Sequence, residues 1–244
     1  MTMSKVIIGS ARSDEHGKLS SGSVGDQKQK KSPDYSGEVS LQNFYIHKKG
    51  WYILRPKRDD HATGIGAAMM TACNNKNIGY DQNNRLDIIR KNVRTTIKTE
   101  CDCSSLVRAC IIDATGKDVG NFTTATECAV LVGSGLFEPK IAYKNGMELF
   151  TGDVLVTKSR GHTCVVVTGK ARGGEKPKTD STYYPKYTGK SDSIVDALVS
   201  LKVNASKENR KKIAAANGIP DYTGTAKENL FLLALLKEGY LIRV

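Results

Sequence analysis

No apolar run in this chain approaches the roughly 20 residues that a membrane helix needs. The stretch from Met1 to Lys18 also lacks the apolar centre of a signal peptide. Val6-Ile7-Ile8 is too short, and Gly9 ends it. Neither membrane insertion nor signal-peptide export is therefore expected. No internal repeat and no recognised nucleic-acid motif is present. Paired Cys-x-x-Cys is missing too. That leaves only Cys101-x-Cys103, with Cys110 and His162, for a zinc reading, and the irregular spacing argues against one. No metal or other cofactor is expected. Histidines number only four, His16, His47, His61 and His162, so few groups can serve as a base near neutral pH.

What is present fits a folded protein. The 244 residues suit one medium domain plus a small one. With 39% hydrophobic and 25% charged residues, the balance is globular rather than disordered. The net charge of +12 attracts polyanions without saying which. The charges are scattered apart from Lys28, Lys30 and Lys31, so a solvated basic surface is the plain alternative. The six cysteines are expected to be mostly reduced and buried, since the chain is not small and carries no export signal.

Met1 to Lys49 is poor in apolar positions and reads as an extended surface stretch. Trp51 to Leu54 is the first strong apolar run. A helix is predicted over about Thr63 to Asn74, because Ile65, Met69 and Cys73 share one face. Asn74 to Asp81 reads as a loop by composition. Leu106, Val107, Cys110, Ile111 and Ala114 fall at helical spacing behind Asp102, an N-cap residue type. Thr123 to Val132 reads as a further helix. Val154 to Val156 and His162 to Val167 read as strands. Gly173-Gly174 and Pro177 mark a linker over residues 171–181. Beyond it three short helices are predicted. One carries Ile194, Leu198 and Leu201. The next runs from Ser206 to the C-cap pair Asn217-Gly218. The last starts at Thr225, with Glu228 completing a capping box.

The segment Glu100 to Val107 carries the clearest chemistry. A thiolate is the reactive form of cysteine, and a helix N-terminus favours it through free N–H groups and the helix dipole. Cys103 stands at that point. Of the four histidines, His162 alone falls in a predicted strand, where a general base gains rigid placement. From the residues alone the pair stays open: a helical cysteine is commonly inert core, and a histidine at a strand start is commonly structural. Asp14-Glu15 reads equally as a cation or amine site and as a solvated turn.

The string Asp102-Cys103-Ser104-Ser105-Leu106-Val107 resembles the nucleophile motif of the NlpC-type, papain-like cysteine peptidases. Gly152-Asp153-Val154-Leu155, followed by Gly161-His162, is similar to the strand that carries their histidine. Ile78-Gly79-Tyr80 is similar to a loop bearing a tyrosine near the substrate. The strings Ala11 to Gly17 and Gly25-Asp26-Gln27 resemble the start of phage lysins of this type. From Tyr183 to Val244 the chain resembles a module at the ends of phage lysins of Gram-positive hosts.

The resemblance implies an α+β fold. A papain-like NlpC-type domain, a helix packed on a small antiparallel sheet, would span residues 1–170. A small all-α module binding the cell wall would span residues 182–244, or would only cap and stabilise. The implied activity is that of an endolysin. Cys103 attacks an amide of the stem or cross-link peptide of bacterial peptidoglycan, and His162 takes the thiol proton. Tyr80, Ser104 and Asp14 would contact substrate. No residue fits the third polar position that orients the histidine in such enzymes. The implied partners are peptidoglycan and wall teichoic acid, with no nucleic acid. The protein would wait in the host cytoplasm until lysis. The alternatives are an amidase cutting between sugar and first stem residue with the same site, and a non-catalytic basic protein binding wall or nucleic acid.

Overall fold

The computed structural model describes residues 6–26, 37–170, 183–217, 219, 222–239 and 241–244. They fall into two compact units, Met1–Glu175 and Lys176–Val244. The first contains strands β1 (Ile7–Ala11), β2 (Val39–Asn43) and β3 (Trp51–Leu54), helix α1 (Asp59–Asn74), strand β4 (Ile78–Tyr80) and helix α2 (Asp87–Lys91). It continues through β5 (Thr99–Cys101), α3 (Cys103–Thr115), α4 (Glu127–Gly133), β6 (Ile141–Ala142), β7 (Val154–Thr157) and β8 (Thr163–Thr168). The fold is mixed, of the α+β kind. The main sheet is antiparallel throughout, in the order β2-β1-β8-β7-β3-β6, while β4 and β5 form a separate parallel pair.

The two faces of the main sheet differ. Ile8, Trp51, Ile53, Leu155, Cys164 and Val166 point to one side and join Leu149 in a dry cluster. Residues of opposite parity, such as Gly9 and its partner Val165, face the helices. A Cβ on Gly9 would stand 2.6 Å from Met69 Cγ and 2.9 Å from Cys73 Sγ, so glycine is what lets α1 lie against β1. Gly152 does the same at the start of β7. Its φ of +85° suits glycine, and an added Cβ would meet Ala62 O at 2.0 Å. The adjoining Asp153 is fully buried. It accepts from Arg55 Nε at 3.1 and 3.2 Å and from the Phe150 N–H at 2.9 Å. The Gly-Asp string thus fixes where β7 begins.

Several sequence expectations need correction. The N-terminal stretch is not merely an extended covering, because β1 lies inside the sheet between β2 and β8. Its apolar run is interrupted because Gly9 must be small where α1 lies against β1. Helix α1 begins at Asp59 rather than Thr63; its first turn hides small residues, Ala62 and Gly64, which give no apolar period, and its two aspartates favour a helix start. The predicted loop at Asn74 to Asp81 contains β4. Its polar residues serve the fold: the buried Asn75 carboxamide donates to Val93 O and Thr95 O at 3.1 and 2.8 Å. His162 stands one residue before β8 instead of within it.

The second unit has three helices among its described residues: α5 (Ile194–Ser200), α6 (Lys207–Ala216) and α7 (Ala226–Glu238). Ser193, Ser206 and Thr225 cap them through their side chains, and Thr225 with Glu228 forms the reciprocal box. Ile194, Leu198, Ile213, Leu232, Leu236 and Leu241 make up its interior. Asn217 ends α6, and its buried side chain accepts from the Ile242 N–H at 3.0 Å. The linker residues 171–181, the lysines at 28, 30 and 31, and Gly218 lie outside the described residues. No helix among the described residues is long and apolar enough to cross a membrane.

Candidate active site around Cys103

Strand β5 runs directly into α3, and the turn between them is heavily bonded. Asp102 is the N-cap: its Oδ1 accepts the Ser105 N–H at 2.7 Å, while Ser105 Oγ accepts the Asp102 N–H at 2.9 Å. Ser104 Oγ donates to Asp102 Oδ1 at 3.1 Å. Arg85 closes the arrangement. Its Nε donates to Asp102 Oδ2 at 2.6 Å, and its two Nη groups reach Ser104 Oγ, Asn121 Oδ1 and Phe122 O. Both partners of the Arg85–Asp102 pair are largely buried. Cys103 is thereby held as the first residue of α3, only 8% exposed.

The thiol is pulled both ways. Burial raises its pKa most, and the nearby Asp102 and Glu127 carboxyls push in the same direction, to about 12. Two main-chain N–H groups, of Thr163 and Ser104, oppose this by facing the sulfur. The helix start does favour the anion as the sequence suggests, but desolvation outweighs it in the resting protein.

Tyr80 comes to the same place. Its strand β4 pairs with β5, Tyr80 opposite Cys101, and the phenol is close enough to Cys103 for the cysteine to raise its pKa. The Tyr80 N–H donates to Glu38 Oε2, and its hydroxyl accepts from Gln82 Nε2 at 3.2 Å. Burial, with Cys103 and Asp102 beside it, keeps the phenol protonated. Ser104 is 1% exposed, and its hydroxyl is engaged with Asp102 and Arg85. Asp14 is fully buried in the turn after β1, where its Oδ1 accepts the N–H groups of His16 and Lys18 at 2.9 and 2.6 Å. The next residue, Glu15, lies near Glu38 and Glu100. Burial holds Glu38 protonated to about pH 9 and Glu100 to about pH 7, each raised further by neighbouring carboxyls.

His162 is not in hydrogen-bond contact with Cys103. Its N–H donates to Thr157 Oγ1 and its carbonyl accepts the Thr157 N–H, both near 3 Å. The ring lies in an aromatic group, 6.2 Å from Trp51, which in turn stacks edge-on with His47 and Tyr45. Alternation along β8 explains this. Thr163 faces the helices and Cys103, so its neighbour His162 faces the Trp51 side. The thiol nevertheless abuts the main chain one residue from His162, so the two side chains are divided by the strand backbone. Burial first, then Arg12 and His47, lower the imidazole pKa to about 4, so it is neutral near pH 7.

Two neighbours of Cys103 were missed in the sequence. Arg85 sits in a polar stretch, Asn83-Asn84-Arg85, where nothing marks it as buried. Glu127 opens α4 and is fully buried; its Oε1 accepts from Thr163 Oγ1 at 2.8 Å. Among the described residues no group of three or more His, Cys, Asp or Glu is arranged to hold a metal ion, and Cys101 donates to Gly79 O instead. All six cysteines are free thiols.

The profile of the endolysin-like domain family matches residues 8–173, well over half of the chain. Part of the chain is similar to an endolysin of Listeria phage A511, with 32% identity over 90 residues, which is 37% of this chain and 25% of the relative. Part is similar to an L-alanyl-D-glutamate peptidase of Listeria phage A118, with 38% identity over 68 residues, 27% of this chain and 24% of the relative. These matches therefore span about a quarter of each relative's length. No solved structure matches the chain significantly.

Proposed function

We propose, from the premise that this chain belongs to the endolysin-like domain family, that it is a phage-type peptidoglycan hydrolase whose nucleophile is Cys103. The observation that carries this reading is the cradle of the thiol. Cys103 is locked at the start of α3 by Asp102 and Arg85, and two main-chain N–H groups, of Ser104 and Thr163, face its sulfur. Such a pair would stabilise the thiolate as it forms and supplies fixed donors near the carbon under attack.

In this reading Cys103 Sγ attacks the carbonyl of an amide in the wall peptide. His162 takes the thiol proton and returns it to the leaving amine, and water then releases the acyl-enzyme. The resting groups are both neutral, with the thiol pKa near 12 and the imidazole near 4. Proton transfer must therefore accompany attack. It requires the His162 ring to swing across the end of β8, where Arg160 and Gly161 both have positive φ. Tyr80 closes one side of the site. Ser104 supports its wall through hydrogen bonds to Asp102 and Arg85, while Asp14 is engaged in its own turn after β1. The relative named as an L-alanyl-D-glutamate peptidase favours a bond between amino acids over the sugar–peptide bond, so a peptidase is preferred to an amidase.

The test is digestion of purified peptidoglycan by wild type and Cys103→Ala, with new termini identified by mass spectrometry. New amino-acid termini made only by wild type are expected. Release of the sugar from the first stem residue would make the enzyme an amidase, and equal digestion by both proteins would remove Cys103 from the chemistry.

A further inference from the structure

The cradle of Cys103 has an unexplained member. Glu127 is 0% exposed, and only Oε1 has a partner, the hydroxyl of Thr163 at 2.8 Å. Oε2 is buried without a hydrogen-bond partner. A carboxylate oxygen left dry and unpaired is costly, so a purely structural acid would be expected to satisfy both oxygens. The same Thr163 turns its main-chain N–H toward Cys103 Sγ. One residue therefore touches both groups, by its hydroxyl and by its backbone.

We propose that Glu127 is the positioning residue of this site: its carboxyl holds Thr163 so that the Thr163 main-chain N–H faces Cys103, and it must be neutral for the Cys103 thiolate to form. The inference rests on Cys103 being the reactive group. It assigns to α4, an element outside the Cys and His motifs, control over the cysteine's reactivity.

The physical case has two parts. A strand-end N–H wanders unless something fixes its residue, and the Glu127–Thr163 bond fixes it from the helix side. Charge supplies the second part. An ionised Glu127 would be a second buried negative charge beside the thiolate, and like charges in a dry site exclude one another. Of the other ionisable groups, Asp102 acts on Glu127 and is already matched by Arg85; Arg12 and Lys140 act on the neighbouring thiols of Cys164 and Cys128, and neither acts on Glu127. Burial keeps Glu127 protonated up to about pH 8. Below that pH the carboxyl anchors Thr163 without opposing the thiolate. Above it the anchor carries a charge that does oppose it.

The experiment reads Cys103 directly: iodoacetamide labelling of the full chain from pH 6 to pH 10, followed by peptide mass mapping, with circular dichroism to confirm folding. Glu127→Gln keeps an oxygen for Thr163 and removes the charge. At pH 6 it should label Cys103 within about twofold of wild type. At pH 9 it should label about tenfold faster, the effect of one pKa unit on the thiol. Glu127→Ala loses the anchor and should label several-fold slower at pH 6. Should that variant not fold, Thr163→Val removes the same bond and replaces it. Parallel profiles for wild type and Glu127→Gln would overturn the charge argument, and unchanged labelling without the anchor would overturn the positioning argument. Because labelling needs no substrate, the outcome is separate from the hydrolase reading, which fails only if Cys103→Ala still digests peptidoglycan.

Discussion

The two units of this chain are built on different principles. The first buries acids: Asp14, Glu38, Glu100, Asp102, Glu127 and Asp153 are all inside it. Among the described residues of the second, Asn217 is the one buried polar side chain, and its job is to tie α6 to the chain end. Buried acids cost stability unless they are paired, hydrogen-bonded or protonated. A unit that keeps so many has been shaped around something other than stability. The second unit, with three side-chain caps and a leucine-rich interior, buries no acid among its described residues. If this contrast is right, disturbing the first unit should change reactivity or pH behaviour, and disturbing the second should change neither.

The largest effect should come from Cys103. Cys103→Ala is expected to lower peptidoglycan digestion by about three orders of magnitude or more while leaving the melting curve unchanged. His162→Ala should follow, with a loss on the order of 10²–10⁴-fold in turnover and an intact fold, since its ring is the proposed base. A His162→Ala protein that digests walls at the wild-type rate would show that the imidazole stays on the Trp51 side throughout. EDTA should leave wild-type digestion nearly unchanged, and inhibition reversed by zinc would place the chemistry elsewhere.

A smaller effect, on stability instead of chemistry, should follow from Arg85→Ala. It leaves Asp102 buried beside a cysteine with its cation gone. Loss of one partner of a largely buried pair costs roughly 3 kcal/mol, to be read from urea unfolding of the full chain. Cys103 labelling should change too, because the N-cap moves. A variant that loses stability but labels normally would mean that the cap holds without Arg85.

The pH dependence of stability tests the same contrast. Glu38 is protonated in the folded protein to about pH 9, against an ordinary value of 4.5, because burial and the neighbouring Glu15 and Glu100 disfavour its charge. A carboxyl raised on folding holds a proton that the unfolded chain has released, so stability falls as pH rises from about 4.5 to about 9. Glu38→Gln keeps an acceptor for the Tyr80 N–H and removes the ionisation. Thermal melts of this variant should fall less steeply with pH over that window, and be higher than wild type at pH 9. Identical slopes would mean that Glu38 is not the group responsible.

How far the sequence went follows from which residues act locally. The start of α3 was legible because its cap, Asp102, and the proposed nucleophile, Cys103, are adjacent in the chain, and the caps at Ser206 and Thr225 were legible because they too act locally. Arg85 and Glu127 act on Cys103 from distant segments and sit in polar surroundings, so only the fold reveals them. Strand β1 was hidden because Gly9 breaks its apolar run where α1 comes close, and the polar Ser10 follows it. The side on which His162 stands could not be read, since a one-residue shift in the pairing register of β8 reverses the face of every side chain.

The smallest expected effect concerns the second unit and the bond-breaking step. Every residue proposed for the chemistry precedes Lys170, and the second unit contributes none. A chain ending near Lys170 should therefore hydrolyse soluble muropeptides at close to the full-length rate. On intact walls it should be much slower, if the second unit holds the enzyme on an insoluble polymer and so raises the local concentration of substrate. The fragment from Tyr183 to Val244, fused to a fluorescent protein, should then label walls of a susceptible bacterium. It should fold alone, although such a short chain buries little apolar surface. Salt separates two ways of labelling. Attraction of a basic surface to teichoic acid fades as ionic strength rises toward the molar range, whereas a shaped site retains its ligand. Labelling that survives salt, with wall digestion lost on truncation, supports a binding module. Full wall digestion by the truncated chain and no labelling by the fragment would leave the three helices as a stabilising cap, and truncation should then show up in the melting temperature alone.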